Sequence, residues 1–384
     1  MHNLPPPHPD AILHSQRLTA TIITAIEQAG GIIPFNEFMR LALYTPGLGY
    51  YSAGMQKFGV DGDFVTAPEI SPLFAQCIAK QCQQVLAGFE AGVILELGAG
   101  SGIMAVDILK TLQELDSLPK RYFILEVSAD LQQQQQAIFQ AKAPQFLPLV
   151  EWLQKLPTEP IQGIILANEV LDAMPIHKFR VQSDYIAEFY VTHDSNTFIW
   201  HEQKTINTEL QEAVTKLNLE EDYVSEINLT LPAWLQSIAD ILASGMILLI
   251  DYGFPSSEFY HPQRDQGTLM CHYRHKSHTE PLILVGLQDI TAHVDFTSVA
   301  EAATLAKLQV AGYTTQANFL LNCGLADILF ALDPDNKQSY LPQAQQAKTL
   351  ILPSEMGELF KAMVLTKNFD STLLGFLHDE RARL

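Results

Sequence analysis

The fold class is decided by Val93-Ile-Leu-Glu-Leu-Gly-Ala-Gly-Ser-Gly102, which is followed at once by Ile103-Met-Ala-Val106. An apolar run of strand length leads into three glycines at alternating positions, and a helical pattern begins directly after them. Glycine permits positive φ angles and close approach of a ligand to the backbone, while the helix start offers free N–H groups. The stretch therefore predicts a βα unit with a ligand at its glycine loop. Its G-x-G-x-G spacing differs from the G-x-G-x-x-G of dinucleotide-binding enzymes and therefore disfavours a nicotinamide-dependent enzyme.

The segments that follow alternate short apolar runs with helical patterns, which is typical of a parallel sheet covered by helices. The predicted strands are 93–97, 121–126, 163–168, 245–251, 314–320 and 361–367, and the predicted helices include 103–115, 131–141, 209–217, 232–243 and 296–311. We therefore expect an α/β protein with a Rossmann-like core.

The regions outside this core have other patterns. Before it, helices are predicted at 11–29 and 34–44, and a long glycine- and tyrosine-rich loop leads to a helix beginning at Ser71-Pro72. After Pro175, alternating apolar positions predict hairpin strands. We expect a helical cap with an active-site loop at 1–90 and a core at 91–384. A β-rich insertion at about 178–240 would interrupt that core and is a candidate interface for a homodimer.

Two polar positions stand where predicted core strands end. Glu126 closes its strand 28 residues after Gly98, and Asn168 closes the buried strand that begins at Gly163. In an open parallel sheet, ligands bind at the carboxyl ends of strands near the switch point. A carboxylate at Glu126 is suited to accept hydrogen bonds from both hydroxyls of a ribose, although a solvated acid at a strand end is the alternative.

Acidic residues continue directly after Asn168. Glu169 and Asp172 would lie on one face of the chain if a helical turn follows the strand. Paired carboxylates suit a guanidinium or an amine, through charge-assisted hydrogen bonds, and they can also take a proton. Alternatively, Asp172 caps or turns the chain before Pro175.

Histidines form two further clusters. His272, His275 and His278 are spaced by three, but no partner pair with ligand spacing accompanies them, so we expect no metal site and instead a polar or substrate-facing strand. His293 and Asp295 would share one face if the chain is extended there. Asp295 is an equally good N-cap for the helix that follows.

Composition limits the partners. The chain has 384 residues, and 23 basic against 43 acidic residues give a formal net charge of −20, which disfavours nucleic acid and anionic membranes. This negative charge is suited to binding a basic protein substrate. Alternatively, it only keeps the protein soluble. Four scattered cysteines, no secretory leader pattern and no apolar run of about 18 residues predict a cytoplasmic protein without membrane insertion.

Several blocks together resemble the MidA-like methyltransferase family. The blocks are Pro34 to Tyr51, Gly62 to Phe74, Glu96 to Gly102, Ala167 to Pro175 and Asp289 to Phe296. The resemblance implies a class I methyltransferase fold, a seven-stranded sheet with an antiparallel last strand, and S-adenosylmethionine as donor. Because the family includes a mitochondrial complex I assembly factor that methylates an arginine, the resemblance also implies an arginine of a protein as the acceptor, with a respiratory-complex subunit as a candidate substrate.

The resemblance also implies roles for individual residues. Gly98, Gly100 and Gly102 would line the cofactor, Glu126 would bind its ribose, and the segment from Thr66 to Glu69 would close over it. The predicted cofactor-binding residues are Thr66, Glu69, Glu96, Gly98, Gly100, Gly102, Glu126 and Asn168.

The expected reaction is an in-line displacement that needs chiefly a well-held acceptor nitrogen. Glu169 and Asp172 would orient a cationic acceptor, and His293 or Asp295 would assist proton loss. Tyr44, Tyr50 and Tyr51 would form an aromatic wall, or pack in the core. The alternatives are a nicotinamide oxidoreductase, a non-catalytic assembly factor that retains the fold, and a methyltransferase acting on small molecules.

Overall fold

Helices and strands cover most of residues 4–53, 66–333 and 335–384, which a computed structural model of the protein describes. The helices are α1 (Pro9–Gln28), α2 (Phe35–Tyr44), α3 (Ala67–Ile70), α4 (Pro72–Leu86), α5 (Ile103–Glu114), α6 (Ala129–Lys142), α7 (Thr208–Lys216), α8 (Leu231–Ile241), α9 (Ser256–Phe259), α10 (Phe296–Leu305), α11 (Gln316–Asn322), α12 (Leu325–Phe330), α13 (Lys337–Ile351) and α14 (Met356–Leu359). The strands are β1 (Ile33–Pro34), β2 (Val93–Leu97), β3 (Tyr122–Leu125), β4 (Val150–Leu153), β5 (Ile161–Asn168), β6 (His177–Val181), β7 (Ile186–Asp194), β8 (Thr197–Lys204), β9 (Val224–Ile227), β10 (Leu242–Phe254), β11 (Met270–Tyr273), β12 (Lys276–His278), β13 (Asp289–Thr291), β14 (Val294–Asp295), β15 (Gln309–Thr315) and β16 (Phe360–Lys367).

These elements form two units. The first contains the described part of Met1–Phe64 together with Asp172–Leu231 and Ser256–His293. The second contains the described part of Val65–Leu171 together with Pro232–Pro255 and Val294–Leu384.

The second unit is built on a seven-stranded path in the order β15-β16-β10-β5-β2-β3-β4. Strands β4, β3, β2, β5 and β10 run parallel to one another, whereas β16 is antiparallel to both β10 and β15. The central strands are continuous apolar runs, as expected for strands covered by helices on both faces. The predicted Rossmann-like sheet with an antiparallel last strand is confirmed.

The register of this sheet brings the predicted ligand segments to one edge. Leu97 at the end of β2 pairs with Ala167 on β5 and with Leu125 on β3. Gly98, Asn168 and Glu126 therefore follow neighbouring strand ends, at the point where the chain order reverses. This is the switch point at which open α/β sheets bind ligands.

The first unit combines two antiparallel sheets with helices. One sheet has the order β1-β7-β6-β9, with β8 paired to β7, and the other has the order β12-β11-β13. Helices α1 and α2 bury apolar side chains such as Leu18, Ile22 and Phe38 in a common core with Val191 and Ile290. The predicted hairpin strands after Pro175 are present as β6, β7 and β8.

Two expectations differ from the structure. The expected boundary near residue 90 falls inside the second unit, because α4 buries Leu73 and Phe74 in the same core as Ile94 of β2. The strand predicted at 314–320 is wrong: β15 ends at Thr315, and α11 begins at Gln316. The Thr315 hydroxyl accepts a hydrogen bond from the backbone N–H of Asn318 and caps that helix.

None of the described helices is both long enough and apolar enough to cross a bilayer.

Candidate functional site

The glycine loop between β2 and α5 has the backbone conformation that its sequence predicts. Gly98, Gly100 and Gly102 have φ angles of +64°, +54° and +85°, in the left-handed region that favours glycine. A Cβ at Gly98 would lie 3.3 Å from Cγ2 of Val170, and one at Gly102 would lie 3.1 Å from Cγ of Gln135. The loop thus presents bare backbone at the start of α5, where a ligand can approach.

Glu126 follows β3 directly, and both oxygens of its carboxylate accept hydrogen bonds. Its Oε1 accepts from the backbone N–H of Ser128 at 2.9 Å, and its Oε2 accepts from Nε2 of Gln135 at 3.2 Å. The side chain is only 7% exposed. It is therefore not the solvated strand-end acid of the alternative interpretation, and its position fits the predicted ribose contact.

The segment before α4 reaches the same loop. Glu69 lies on α3, and its carboxylate accepts a hydrogen bond from the hydroxyl of Ser101 in the glycine loop. Thr66 is the N-cap residue of α3, without a side-chain capping bond. The part of the predicted active-site loop at 54–65 lies outside the described residues.

Asn168 and Glu169 lie at the end of β5, beside the glycine loop in the sheet register. The amide Nδ2 of Asn168 donates to Oε1 of Glu169 at 3.1 Å. The buried Oδ1 of Asn168 accepts no hydrogen bond from any described residue, so this edge retains an unused acceptor. Bare glycines, a placed carboxylate and an unused amide oxygen together fit a ligand with hydroxyl and ammonium groups.

Comparison with known proteins identifies that ligand. A family model described as "Putative S-adenosyl-L-methionine-dependent methyltransferase" matches residues 75–314, which is more than half of the chain. The chain belongs to this methyltransferase family. A protein from Burkholderia thailandensis, whose crystal structure contains S-adenosyl-homocysteine, is 42% identical to this chain, with a TM-score of 0.96 and 100% of both chains covered. A second crystal structure from that organism gives 41% identity and a TM-score of 0.93, again with 100% of both chains covered.

Curated relatives of the methyltransferase are more distant. The mitochondrial protein arginine methyltransferase NDUFAF7 of Danio rerio is 28% identical, over 87% of this chain and 83% of the relative. The Homo sapiens protein of the same name is also 28% identical, over 87% of this chain and 80% of the relative. The protein is therefore an S-adenosylmethionine-dependent methyltransferase, and the predicted MidA-like resemblance and cofactor are confirmed.

The methyltransferase does not form the helical turn expected after β5. Glu169 has a φ angle of +51°, and the next two backbone N–H groups, of Val170 and Leu171, both donate to Oδ2 of Asp251 at 3.2 and 2.9 Å. The pairing of Glu169 with Asp172 on one helical face therefore has no basis in this backbone. Asp251, in the neighbouring β10, sets the path of the loop instead.

The remaining predicted catalytic residues have different surroundings. Asp295 is the N-cap of α10, and its carboxylate accepts from the backbone N–H of Thr297 and from the hydroxyl of Ser298. His293 belongs to the first unit, where its backbone N–H donates to Thr268. Asp172 is buried in the first unit, and its carbonyl accepts from Ala292. The capping interpretation of Asp295 is thus the one that the structure supports.

A tyrosine and aspartate cluster in the first unit was only partly anticipated. The rings of Tyr44 and Tyr51 stack with centroids 5.6 Å apart, and both are half-buried. The Tyr51 hydroxyl donates to both carboxylate oxygens of Asp289, at 2.8 and 2.9 Å. Burial, and then the nearby charges of Asp289 and Asp172, raise the pKa of both tyrosines, so their hydroxyls stay neutral. Tyr50 is fully buried and belongs to the core.

Three residues of these sites escaped sequence reasoning. Gln135 lies at an apolar-face position of α6, four residues from both Leu131 and Phe139, which is a signal of burial. Asp251 lies within the apolar strand β10, where a buried acid is unusual. The role of Asp289 depends on a contact with Tyr51, which is far away in the sequence.

Glu96 lies within β2 beneath the glycine loop. It is 1% exposed, and its Oε2 accepts from the Tyr122 hydroxyl at 2.7 Å. Burial raises the pKa of Glu96 to about 7, and the hydrogen bond from Tyr122 opposes that rise only in part. The folded protein therefore binds this proton more tightly than the unfolded chain does.

Replacing Glu96 with glutamine should flatten the pH dependence of stability. Because the folded pKa is raised, the carboxyl group costs stability progressively as the pH rises from about 4.5 to about 7. The free energy of unfolding of Glu96→Gln, relative to wild type, should therefore rise by about 2 kcal/mol between pH 5 and pH 8. Urea titrations at both pH values measure this change, and Glu151→Gln, an exposed change on β4, is the control. An unchanged difference between the two pH values would contradict the assignment.

Proposed function

We propose that this methyltransferase transfers the methyl group to an arginine nitrogen of a protein substrate. Two lines support the proposal. The relatives at 28% identity carry the name protein arginine methyltransferase, and the tyrosine and aspartate cluster of the first unit has the chemistry that a guanidinium needs. The cluster is the observation that carries the proposal.

The cluster combines neutral rings with negative charge. Stacked Tyr44 and Tyr51 offer ring faces that attract a cation by about 0.5–2 kcal/mol. Asp289 accepts from the Tyr51 hydroxyl, and the charge of Asp172 acts on both tyrosines; these acids are 2% and 6% exposed, and low dielectric strengthens their field. Tyr50 packs edge-on against Tyr51, with centroids 5.1 Å apart, and supports its orientation. A planar cation is favoured over a neutral acceptor by such surroundings.

The residues of the second unit are proposed to hold the donor. When bound, S-adenosylmethionine supplies an electrophilic methyl group, and S-adenosylhomocysteine is the product. The bare backbone of Gly98, Gly100 and Gly102 accommodates it, Glu126 accepts the ribose hydrogen bonds, and Glu69 and Thr66 lie on the segment that borders the loop. We place Asn168 toward its polar groups, because the amide oxygen there is buried and unused by the described residues.

The acceptor side completes the proposed mechanism. Asp172 orients the guanidinium through charge-assisted hydrogen bonds, and His293, in the same unit, accepts the proton that the methylated nitrogen releases. Asp295 has no part in this scheme, because capping α10 already engages its carboxylate. Holding the nitrogen in line with the methyl group supplies most of the rate.

Transfer of a labelled methyl group tests the proposal directly. The purified enzyme, with methyl-labelled S-adenosylmethionine, is incubated with an extract of source cells that lack it. The protein fraction is then hydrolysed to amino acids. Label in methylarginine is expected. Label in methyllysine, or in small molecules only, would overturn the arginine proposal while leaving the methyltransferase assignment intact.

Replacing Asp289 with asparagine should weaken the binding of the methyl acceptor and leave the binding of the cofactor unchanged. The change removes a charge beside Tyr51 but keeps an acceptor for its hydroxyl, so KM for the methylated protein should rise about tenfold. Calorimetric titration should give an unchanged Kd for S-adenosylhomocysteine. Asp184→Asn, an exposed change in the same unit, is the matched control. A loss of cofactor affinity, or an unchanged KM, would count against the acceptor role.

We also propose that the enzyme acts in the cytoplasm. Cys77, Cys82, Cys271 and Cys323 are all free and buried, which suits a reducing compartment. The NDUFAF7 relatives are named mitochondrial, so fractionation of the source cells decides between the two locations.

A further inference from the structure

A single buried amide joins three segments at the cofactor edge of the sheet. Gln135 on α6 is 0% exposed, and its Nε2 donates to the carbonyl of Gly100 at 2.9 Å and to Oε2 of Glu126 at 3.2 Å. Its Oε1 accepts from Nε1 of Trp152 on β4 at 2.9 Å. One side chain thus contacts the glycine loop, the end of β3 and the neighbouring edge strand.

The direction of this amide is fixed by chemistry. The indole N–H of Trp152 can only donate, so the oxygen of Gln135 must face it. The NH₂ group is then turned toward two acceptors, the Gly100 carbonyl and the Glu126 carboxylate. Trp152 itself is held edge-on against Phe139, with ring centroids 5.8 Å apart. Trp152 therefore determines which end of the amide reaches the cofactor loop.

The Glu126 carboxylate is restrained at both oxygens as a result. The Ser128 N–H holds one oxygen, and Gln135 holds the other. The stem of Gln135 also packs against the loop, because a Cβ at Gly102 would lie only 3.1 Å from its Cγ. Without the amide, the carboxylate would lose one of its restraints and the loop carbonyl would lose the Gln135 donor, so a ligand would have to order both on binding.

We propose that Gln135, oriented by Trp152, is a positioning residue that presets the Glu126 carboxylate and the glycine loop for the ribose of the cofactor. The inference rests on the proposed contact of Glu126 with the ribose hydroxyls. It does not depend on the identity of the methyl acceptor. Selectivity for a ribose over a deoxyribose is the property that a correctly aimed carboxylate provides and that a merely stable fold does not.

The test compares the Kd of S-adenosylhomocysteine with that of its 2′-deoxyribose analogue, by calorimetry, in the wild-type protein and four variants. The wild type should prefer the ribose about tenfold or more, since a site built for a hydroxyl rejects the analogue lacking it. Gln135→Met, which keeps the stem and removes the amide, should bind S-adenosylhomocysteine about tenfold more weakly and lose most of that preference. Gln136→Met, the same change at the exposed neighbouring position, should match the wild type. Trp152→Phe should lower the preference in part, because the amide is then free to flip.

The outcomes separate the possible failures. If Gln135→Met is less stable but keeps the wild-type preference for ribose over 2′-deoxyribose, the proposal is overturned, because the substitution would then have removed packing alone. If Gln135→Met does not fold, an unchanged preference in Trp152→Phe overturns it instead. Glu126→Ala that retains the preference would show that the ribose assignment itself is wrong, independently of Gln135.

Discussion

Replacing Glu126 with alanine is expected to weaken the binding of S-adenosylhomocysteine about 100-fold. A carboxylate that accepts two hydroxyl groups makes two charge-assisted hydrogen bonds, worth about 1.5 kcal/mol or more each. Their combined loss of about 3 kcal/mol corresponds to two orders of magnitude in Kd. The carboxylate is already desolvated and restrained by Ser128 and Gln135, so little ordering cost offsets this contribution.

Calorimetric titration of the wild type and Glu126→Ala measures the effect. Glu151→Ala, an exposed change on the next strand, should leave Kd unchanged. Unfolding in urea must first show that the variant is folded, because the Ser128 N–H and the Gln135 amide each lose a partner. A folded Glu126→Ala variant with wild-type affinity would remove this residue from the cofactor site.

Replacing Asp251 with alanine should produce the largest loss of stability, about 3 kcal/mol or more. Its carboxylate accepts three backbone N–H groups, from Val170, Leu171 and Tyr252, at 3.2, 2.9 and 3.0 Å. Each buried donor left without an acceptor costs about 1–3 kcal/mol. The same change frees the loop that carries Glu169. The rate of methyl transfer should therefore fall by more than the loss of folded protein accounts for.

Two further variants provide a graded comparison and a control for the stability loss of Asp251→Ala. Asp251→Asn keeps one acceptor oxygen and should lose about half as much stability. Asp240→Ala removes an exposed carboxylate that accepts from Gln236 in the same helix, and it should cost about 0.5 kcal/mol or less. Urea unfolding measures all three variants. A loss below about 1 kcal/mol for Asp251→Ala would mean that water replaces the carboxylate.

The structural features that could be predicted from the sequence were those whose residues are contiguous in one short segment. The strand, the glycines and the helix of residues 93–114 are contiguous, so local pattern sufficed to place them. Glu126 and Asn168 followed from the same logic, because each ends an apolar run. The MidA-like resemblance then supplied the cofactor, which pattern alone left open between two classes of ligand.

Features that depend on register were not predictable. Asp251 reaches Val170 because Ile250 pairs with Asn168 across β10 and β5, which lie about eighty positions apart in the chain. The expected helical turn after Asn168 fails for the same reason, since its N–H groups find an acceptor on another strand. The strand at 314–320 was misplaced because the β-branched threonines at its start also make good caps.

The position of β16 has a consequence for how the protein is made. This strand, Phe360–Lys367, pairs with β10 along Gly245–Tyr252 and with β15 along Gln309–Thr315, so it fills an interior place in the sheet. During synthesis, the cofactor edge emerges long before the ribosome reaches that strand. Until then β10 exposes a long apolar edge, which is a template for aggregation. Chaperone protection of the nascent chain is therefore most needed between the synthesis of β10 and that of the last strand.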